Sequence, residues 1–223
     1  MIGTPRVHHR LTDSTNERAK ALALTGAPHG TLVTAGEQSA GRGRQGRVWT
    51  APPGSALLMS LVLRELDELL PLTAAVAVCD ALAAEAAVKW PNDVWIEGRK
   101  VAGILVEGRP QDGWAVLGIG LNVTTESFPA ELAETATSLR LAGVDADPAS
   151  VLDDLLDSLG RWLRAPSGSV LAAWRSLDAL KGERVRWSGG EGIAGGIDDS
   201  GALLVETRNG PVTLDAGEVH LLR

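Results

Sequence analysis

The hydrophobic positions of this chain change period several times, and each change marks an element. Thr31 to Ala35 is β-branched and apolar and reads as a strand. Ala56 to Leu63 is an almost unbroken apolar run, the pattern of a strand buried on both faces. Val101 to Glu107 and Trp114 to Val123 predict two more strands. Val88-Lys89-Trp90 and Val94-Trp95-Ile96 are short strands separated by Pro91-Asn92-Asp93, with a turn signal at Gly98-Arg99. A first short strand runs through Val7, His9 and Leu11.

Between these runs the period becomes helical. Ala19, Leu22 and Ala23 share one face behind Ser14-x-x-Glu17, a capping-box pattern, and Gly26 can end that helix. Alanine-rich Pro71 to Ala87 predicts a second helix. Asp147-Pro148 opens a third, with Val151, Leu152, Leu155, Leu156, Leu159, Trp162 and Leu163 in one stripe. Ser169 to Leu180 repeats the pattern more loosely. Together these elements predict an α+β fold, a mixed β-sheet backed by helices.

Near Lys181-Gly182 the character changes. Arg184 to Trp187, Ala202 to Thr207, Val212 to Leu214 and Val219 to Leu222 are short β-like runs, punctuated by glycine-rich turns. They predict a small barrel of short strands. The expected domains are therefore 1–181 and 182–223.

The 223 residues are 44% hydrophobic and 22% charged, an ordinary balance for a soluble globular protein. No run reaches the roughly 18 apolar residues of a membrane span, and the first ten residues lack an apolar signal core. A single cysteine, Cys79, excludes an internal disulfide and fits a reducing cytoplasm. The net charge of -7 argues against general nucleic-acid binding.

Against that acidic background, Gly41-Arg42-Gly43-Arg44-Gln45-Gly46-Arg47 stands out. Gly36 to Thr50 holds three arginines and one glutamate, a local charge of +2. Glycines let a backbone approach a ligand and expose its N–H groups, and guanidinium forks match phosphate or carboxylate. The loop reads as a site for an anionic ligand, with a solvated surface loop as the alternative. Gly41-x-Gly43-x-x-Gly46 satisfies the dinucleotide-binding string, but five residues separate it from the preceding strand, and Pro52-Pro53-Gly54 follows where a helix is needed. Gly41-x4-Gly46 is also half a P-loop, yet Arg47-Val48 stands where Lys-Ser/Thr is required. The second informative stretch is Lys89-Trp90-Pro91-Asn92-Asp93. Alone, its Asn and Asp read as turn formers. Beside a cationic loop and Lys100, one of only 4 lysines, they suit phosphate chemistry with an amine nucleophile.

The arginine loop, Lys89 to Asp93, Lys100 to Glu107 (KVAGILVE) and Gly118 to Val123 (GIGLNV), with Asp13-Ser14-Thr15-Asn16 before them, resemble a biotin–protein ligase, biotin–[acetyl-CoA-carboxylase] ligase. The resemblance runs nearly the whole chain in order. It implies a class II synthetase-like catalytic domain over 1–181 and an SH3-like barrel over 182–223. It implies that biotin and MgATP form biotinyl-5′-AMP, and that a lysine of a biotin carboxyl carrier domain then takes the biotin. By motif position, Ser14, Thr15, Asn16, Gln38, Arg42 and Gly43 would hold biotin, and Arg44 and Lys100 would face its carboxylate and the α-phosphate. Arg47 would meet phosphate, Trp49 would stack near adenine, and Asn92 and Asn122 would lie near the nucleotide. Asp93 would lie near the incoming lysine, so Arg44, Lys100 and Asp93 are the expected catalytic residues. The protein itself supplies no metal site. In the usual form of the loop a further basic residue stands where this chain has Gln45.

Two rivals remain open at this point: a lipoate or octanoate ligase of related fold, and a nucleic-acid-binding module. The resemblance further implies a cytoplasmic ligase, a monomer or weak homodimer, without membrane or DNA contacts. Some members of the family carry an N-terminal helix-turn-helix domain. Here Ser14-Thr15-Asn16 follows only thirteen residues, which contain Pro5 and a strand-like run and leave no room for two helices and a turn. The expectation is therefore no sequence-specific DNA binding. In an anisotropy titration with biotin-operator DNA near physiological salt, affinity should stay at the non-specific level of about 10⁻⁴–10⁻⁶ M, with or without biotinyl-AMP.

Overall fold

Residues 1–222 are described by a computed structural model; Arg223, the last residue of the expected second domain, lies outside them. The strands of the larger sheet are β1 (Arg6–His9), β2 (Leu32–Ala35), β3 (Ala56–Leu63), β4 (Ala87–Lys89), β5 (Asp93–Ile96), β6 (Arg99–Arg109) and β7 (Trp114–Asn122). Their order is β1-β2-β3-β7-β6-β5-β4. Only β1 and β2 are parallel, because helix α1 (Thr15–Leu24) carries the chain across between them. Every other neighbouring pair is antiparallel. The sheet is mixed and helix-backed, as the hydrophobic pattern predicts.

Strand β3 is buried at all eight positions because both faces of the sheet are covered. Leu57, Met59, Leu61 and Leu63 enter the large core under α2 (Leu70–Ala81) and α3 (Pro148–Trp162). Val62 faces the other way, into a small cluster with Ala19 and Ala23 of α1. Leu155 and Leu159 of the α3 stripe are fully buried, each worth roughly 1.5–3 kcal/mol. Asp147 caps α3, accepting from the backbone N–H groups of Ala149 and Ser150. Burial pushes the Cys79 thiol up to about 12, so it is an inert core residue.

Several predicted boundaries move. Helix α2 ends at Ala81 rather than Ala87, and Leu82 turns extended so that Ala87–Lys89 can join the sheet as β4. Helix α4 covers Ser167–Ser176, because Leu177 to Ala179 leave it to bond with Val88. In both places a strand edge outcompetes alanine and leucine helix propensity. The first strand ends at His9 instead of reaching Leu11. Strand β6 extends through Arg109, and the β5–β6 turn is Glu97-Gly98, both left-handed, rather than Gly98-Arg99.

The capping box at Ser14 does not form. Ser14 occupies the N-cap position of α1, but its hydroxyl makes no capping bond. Asp13 holds this corner instead. Its Oδ1 accepts from the Ser14 N–H at 2.7 Å and from the Thr12 hydroxyl at 2.9 Å, and Arg18 pairs with its other oxygen at 2.7 Å. Glu17, the expected second half of the box, turns to Lys20 and Arg42.

The second domain is an antiparallel sheet of five short strands, ordered β11-β10-β9-β8-β12. Strands β8 (Arg184–Trp187), β10 (Leu203–Thr207), β11 (Gly210–Leu214) and β12 (His220–Leu221) match predicted runs. Strand β9 (Gly190–Ile197) does not, since half of its residues are glycine, a residue depleted in strands. The apolar core runs without a break from Leu180 into Val185, Ala194, Leu203 and Val219. The Trp90 indole N–H also reaches the Gly201 carbonyl at 3.1 Å. The two sheets are thus packed as one body. No helix among the described residues is long and apolar enough to cross a membrane.

Asp13 supplies a test of the corner that carries Ser14 to Asn16. Hydrogen bonds from Ser14, Arg18 and Thr12 lower its carboxyl to about 2. Its folded value lies below the unfolded value near 3.9, so its contribution is present above pH ~4 and is lost as pH falls toward 2. Asp13→Ala should cost about 1 kcal/mol at neutral pH, and the difference from wild type in denaturant midpoints should shrink on acidification.

Candidate active site

A cavity of about 600 Å³ opens above the β6–β7 hairpin. Glycines at key positions of the strands beneath it leave it room. A methyl group at Gly118 would collide with the Asn16 amide, and one at Gly120 with the Trp49 indole. Bare backbone at these two positions lets Asn16 and Trp49 lie directly on the sheet. The indole Nε1 of Trp49 is buried there and has no hydrogen-bond partner among the described residues.

The polar end of the cavity is built by the first turn of α1. Gln38 Oε1 accepts from the Thr15 N–H at 2.6 Å and from its hydroxyl at 3.1 Å. Ser60, on the α1-facing side of β3, donates to Asn16 Oδ1 at 2.6 Å and sits 2.8 Å from the Thr15 hydroxyl. Asn16 Nδ2 donates in turn to Glu107 at 2.9 Å. This chain of bonds fixes which end of the Asn16 amide faces which neighbour.

The arginine loop folds over the cavity as a small hairpin. Gly43 N–H bonds Arg47 O at 2.8 Å, Trp49 N–H bonds Gly41 O at 3.0 Å, and Gly54 N–H closes the base on Gly36 O at 2.9 Å. Gln45 and Gly46 form the left-handed tip. Arg42 pairs with Glu17 and with Glu107, the latter at 3.2 Å. Arg44 donates to Asn92 Oδ1 at 3.2 Å, while Asn92 Nδ2 is fixed on Ile104 O at 2.6 Å. Arg47 pairs with Glu218 of the second domain. Lys100 meets Asp93 at 2.7 Å, with its Nζ 5.6 Å from the Trp49 ring. The backbone of Lys100 is clamped on both sides, its N–H by Thr135 O at 2.7 Å and its carbonyl by Thr137 N–H at 2.8 Å.

The expected residues are therefore brought together. Ser14, Thr15, Asn16, Gln38, Arg42, Gly43, Arg44, Arg47, Trp49, Asn92, Asp93, Lys100 and Asn122 all line this one cavity. Their engagements differ from one another. Asn122 is buried, with its amide donating to Thr137 O at 3.0 Å, so it braces the wall as well as facing the cavity. Five cationic side chains line the space against three carboxylates, so this is a positive cavity in an acidic protein. Sequence reasoning missed Ser60, Glu107, the Thr135-Ala136 wall and Glu218. Ser60 had a readable signal, as a serine inside a run of apolar strand residues. The others needed the tertiary structure.

Comparison with known proteins gives the family. Residues 8–123 match the biotin/lipoate A/B protein ligase family, and residues 182–222 match the biotin protein ligase C-terminal domain. The chain belongs to the biotin/lipoate A/B protein ligase family. It is 38% identical to the biotin–[acetyl-CoA-carboxylase] ligase of Mycobacterium tuberculosis over 95% of this chain and 87% of that one. It is 36% identical to the bifunctional ligase/repressor BirA of Bacillus subtilis over 99% of this chain and 75% of that one. Its fold is similar to that of the Aquifex aeolicus biotin protein ligase in complex with biotin and ATP, with a TM-score of 0.86, 30% identity and 99% of each chain covered.

Gly118 is a sharp test of the bare floor. Gly118→Ala should displace Asn16, raise the biotin dissociation constant by about tenfold or more through the lost and misplaced hydrogen bonds, and leave the circular dichroism spectrum unchanged. Isothermal titration with biotin reads the first effect.

Proposed function

We propose that this cavity carries out both steps of ATP-dependent biotin–protein ligation, with residue roles as follows. The observation that carries the reading is the convergence of Arg44 on Asn92 and of Lys100 on Asp93 in one cavity, with Trp49 beside them. The polar end at Thr15, Asn16 and Gln38 receives the biotin ring, and Arg42 and Gly43 close over it. Arg44 and Lys100 draw the biotin carboxylate to the α-phosphorus. The carboxylate oxygen attacks, the bond to the β-phosphate breaks, and pyrophosphate leaves. Each fixed cation in a water-poor site contributes roughly 3–4 kcal/mol to such a transition state. Arg47 meets phosphate, Trp49 covers the base, and Asn92 and Asn122 set the nucleotide wall. An acceptor on the ligand for the Trp49 N–H would remove the cost of a buried unpaired donor, about 1–3 kcal/mol.

The acceptor lysine of a biotin carboxyl carrier domain then attacks the acyl carbon, the bond to AMP breaks, and the amine sheds a proton to solvent. A free lysine with pKa about 10.4 costs about 4–5 kcal/mol to present neutral at pH 7. Asp93 orients that amine, while Lys100 and the arginines oppose its charge and favour the neutral form. Among the described residues no cluster of three or more His, Cys, Asp or Glu could hold a metal; Mg2+ enters here as part of the MgATP substrate. A monomer or weak homodimer working in the cytoplasm on a carboxylase carrier, without DNA or membrane contacts, completes the reading. The C-terminal match to biotin protein ligases favours biotin over lipoate or octanoate, and a half-enclosed cavity of about 600 Å³ favours a small ligand over a nucleic-acid strand.

Intact-mass measurement of a carrier domain incubated with the protein, biotin and MgATP should show a single biotinyl addition, absent when lipoate replaces biotin. Arg44→Gly should slow pyrophosphate release by roughly 10²–10³ and let biotinyl-AMP escape into solution. Lys100→Ala should lose most activity, whereas Lys181→Ala, at the junction of the two sheets, should not. Equal effects of the two lysine changes at equal folded fraction would remove Lys100 from the mechanism.

A further inference from the structure

Lys89 has no role in the scheme above, yet its surroundings ask for one. It is the last residue of β4 and lies directly across the β4–β5 pair from Asp93. Its side chain lines the cavity, with Nζ 5.5 Å from the Trp95 ring. Of the five cations in the cavity, three are already engaged by carboxylates: Arg42 by Glu17 and Glu107, Arg47 by Glu218, and Lys100 by Asp93. Arg44 is held by Asn92. Lys89 alone makes neither an ion pair nor a side-chain hydrogen bond among the described residues.

Its electrostatic neighbours place it on the map. Burial pulls the ammonium below the ordinary lysine range, Asp93 and Glu218 oppose that shift, and Lys100 and Arg47 add to it. Lys89 thus lies across the strand pair from Asp93 and lines the same cavity as the Lys100–Asp93 pair, where the chemistry is placed, and the Arg47–Glu218 pair at the second domain. A desolvated ammonium favours an anion that brings more than one charge, because the cost of stripping its water is already present.

Resting on the ligase reading, we propose that Lys89 is a catalytic residue that binds the β,γ-phosphates of ATP, and hence the departing pyrophosphate, together with Arg47. Glu218 holds Arg47 when no nucleotide is bound and yields it to phosphate when ATP enters. An acidic side chain of the carrier domain is the less favoured occupant. The carrier must deliver a lysine to the same place, and an added cation opposes its arrival in the charged form.

The test separates the two half-reactions. Biotin-dependent ATP–pyrophosphate exchange is measured for wild type, Lys89→Gln and Lys89→Arg. Single-turnover transfer to a carrier domain is then measured from preformed biotinyl-AMP, supplied without ATP. Lys89→Gln should raise the KM for both ATP and pyrophosphate by about tenfold or more, the effect of losing a hydrogen bond to a charged group. It should leave biotin affinity by calorimetry and the rate of transfer from biotinyl-AMP at wild-type values, and Lys89→Arg should recover most of the lost affinity. An active wild type with unchanged KM values in Lys89→Gln overturns the proposal. So does a variant slowed in transfer but not in exchange, which would assign Lys89 to the carrier. A wild type that forms no biotinyl-AMP at all overturns the ligase reading, and this one with it.

Discussion

Five cationic side chains converge on one half-enclosed cavity, and their mutual repulsion is the constraint that the rest of the site answers. Two unit charges 4 Å apart interact by about 4 kcal/mol at the effective dielectric of a protein surface. A cluster of this kind holds only if counter-charges are built in from independent parts of the chain. Here they come from α1 through Glu17, from β6 through Glu107, from β5 through Asp93 and from the second sheet through Glu218. These partners keep the cations in place before any ligand arrives. The lining of the cavity itself keeps five cations against three carboxylates, a surface suited to a carboxylate and a triphosphate, two anions that would otherwise repel each other.

The fold makes that arrangement possible by leaving its own floor empty. Strands β6 and β7 present glycine where the cavity sits and apolar side chains where the helices pack. The same hairpin is thus rigid below, through the α2–α3 core, and open above. Rigidity of the sheet matters because Asn16, Asn92 and Asn122 all work by holding something else still: Glu107 and Ser60, Arg44, and the Thr137 carbonyl. Preorganised groups of this sort need not reorient during reaction, which is where most electrostatic catalysis comes from. The second sheet contributes directly too, since Glu218 and His220 line the cavity. The continuous core across Lys181-Gly182 fixes their distance from the arginine loop.

Much of this was legible in the chain itself, for reasons that differ from element to element. The buried strand Ala56–Leu63 and the α3 stripe were plain because burial on two faces and on one face leave different periods. The arginine loop was plain because its charge opposes that of the whole protein. Strand β9 was hidden by its four glycines. The end of α2 was hidden because alanine continues a helix by propensity until a strand edge claims the chain. The Ser14–Glu17 pattern misled for an electrostatic reason: Arg42 and Lys20 offer Glu17 a stronger partner than a backbone N–H, and Asp13, directly next to Ser14, takes its amide.

The sequence by itself determined which side chains could do the chemistry, since the residue types and short spacings of the arginine loop, Lys89 to Asp93 and Lys100 are local properties of the chain. It also determined the layers, because hydrophobic period is a local property. The tertiary structure alone decided the pairings. Lys100 with Asp93, Arg47 with Glu218, Asn16 with Ser60 and Glu107, and Lys89 with no carboxylate at all depend on strand register and on how the second sheet docks. Lys100 and Asp93 meet through the register of one hairpin, whereas Asn16 with Ser60 and Glu107, and Arg47 with Glu218, join groups far apart in the chain, and no local pattern says which distant group will lie within hydrogen-bonding reach of a given side chain.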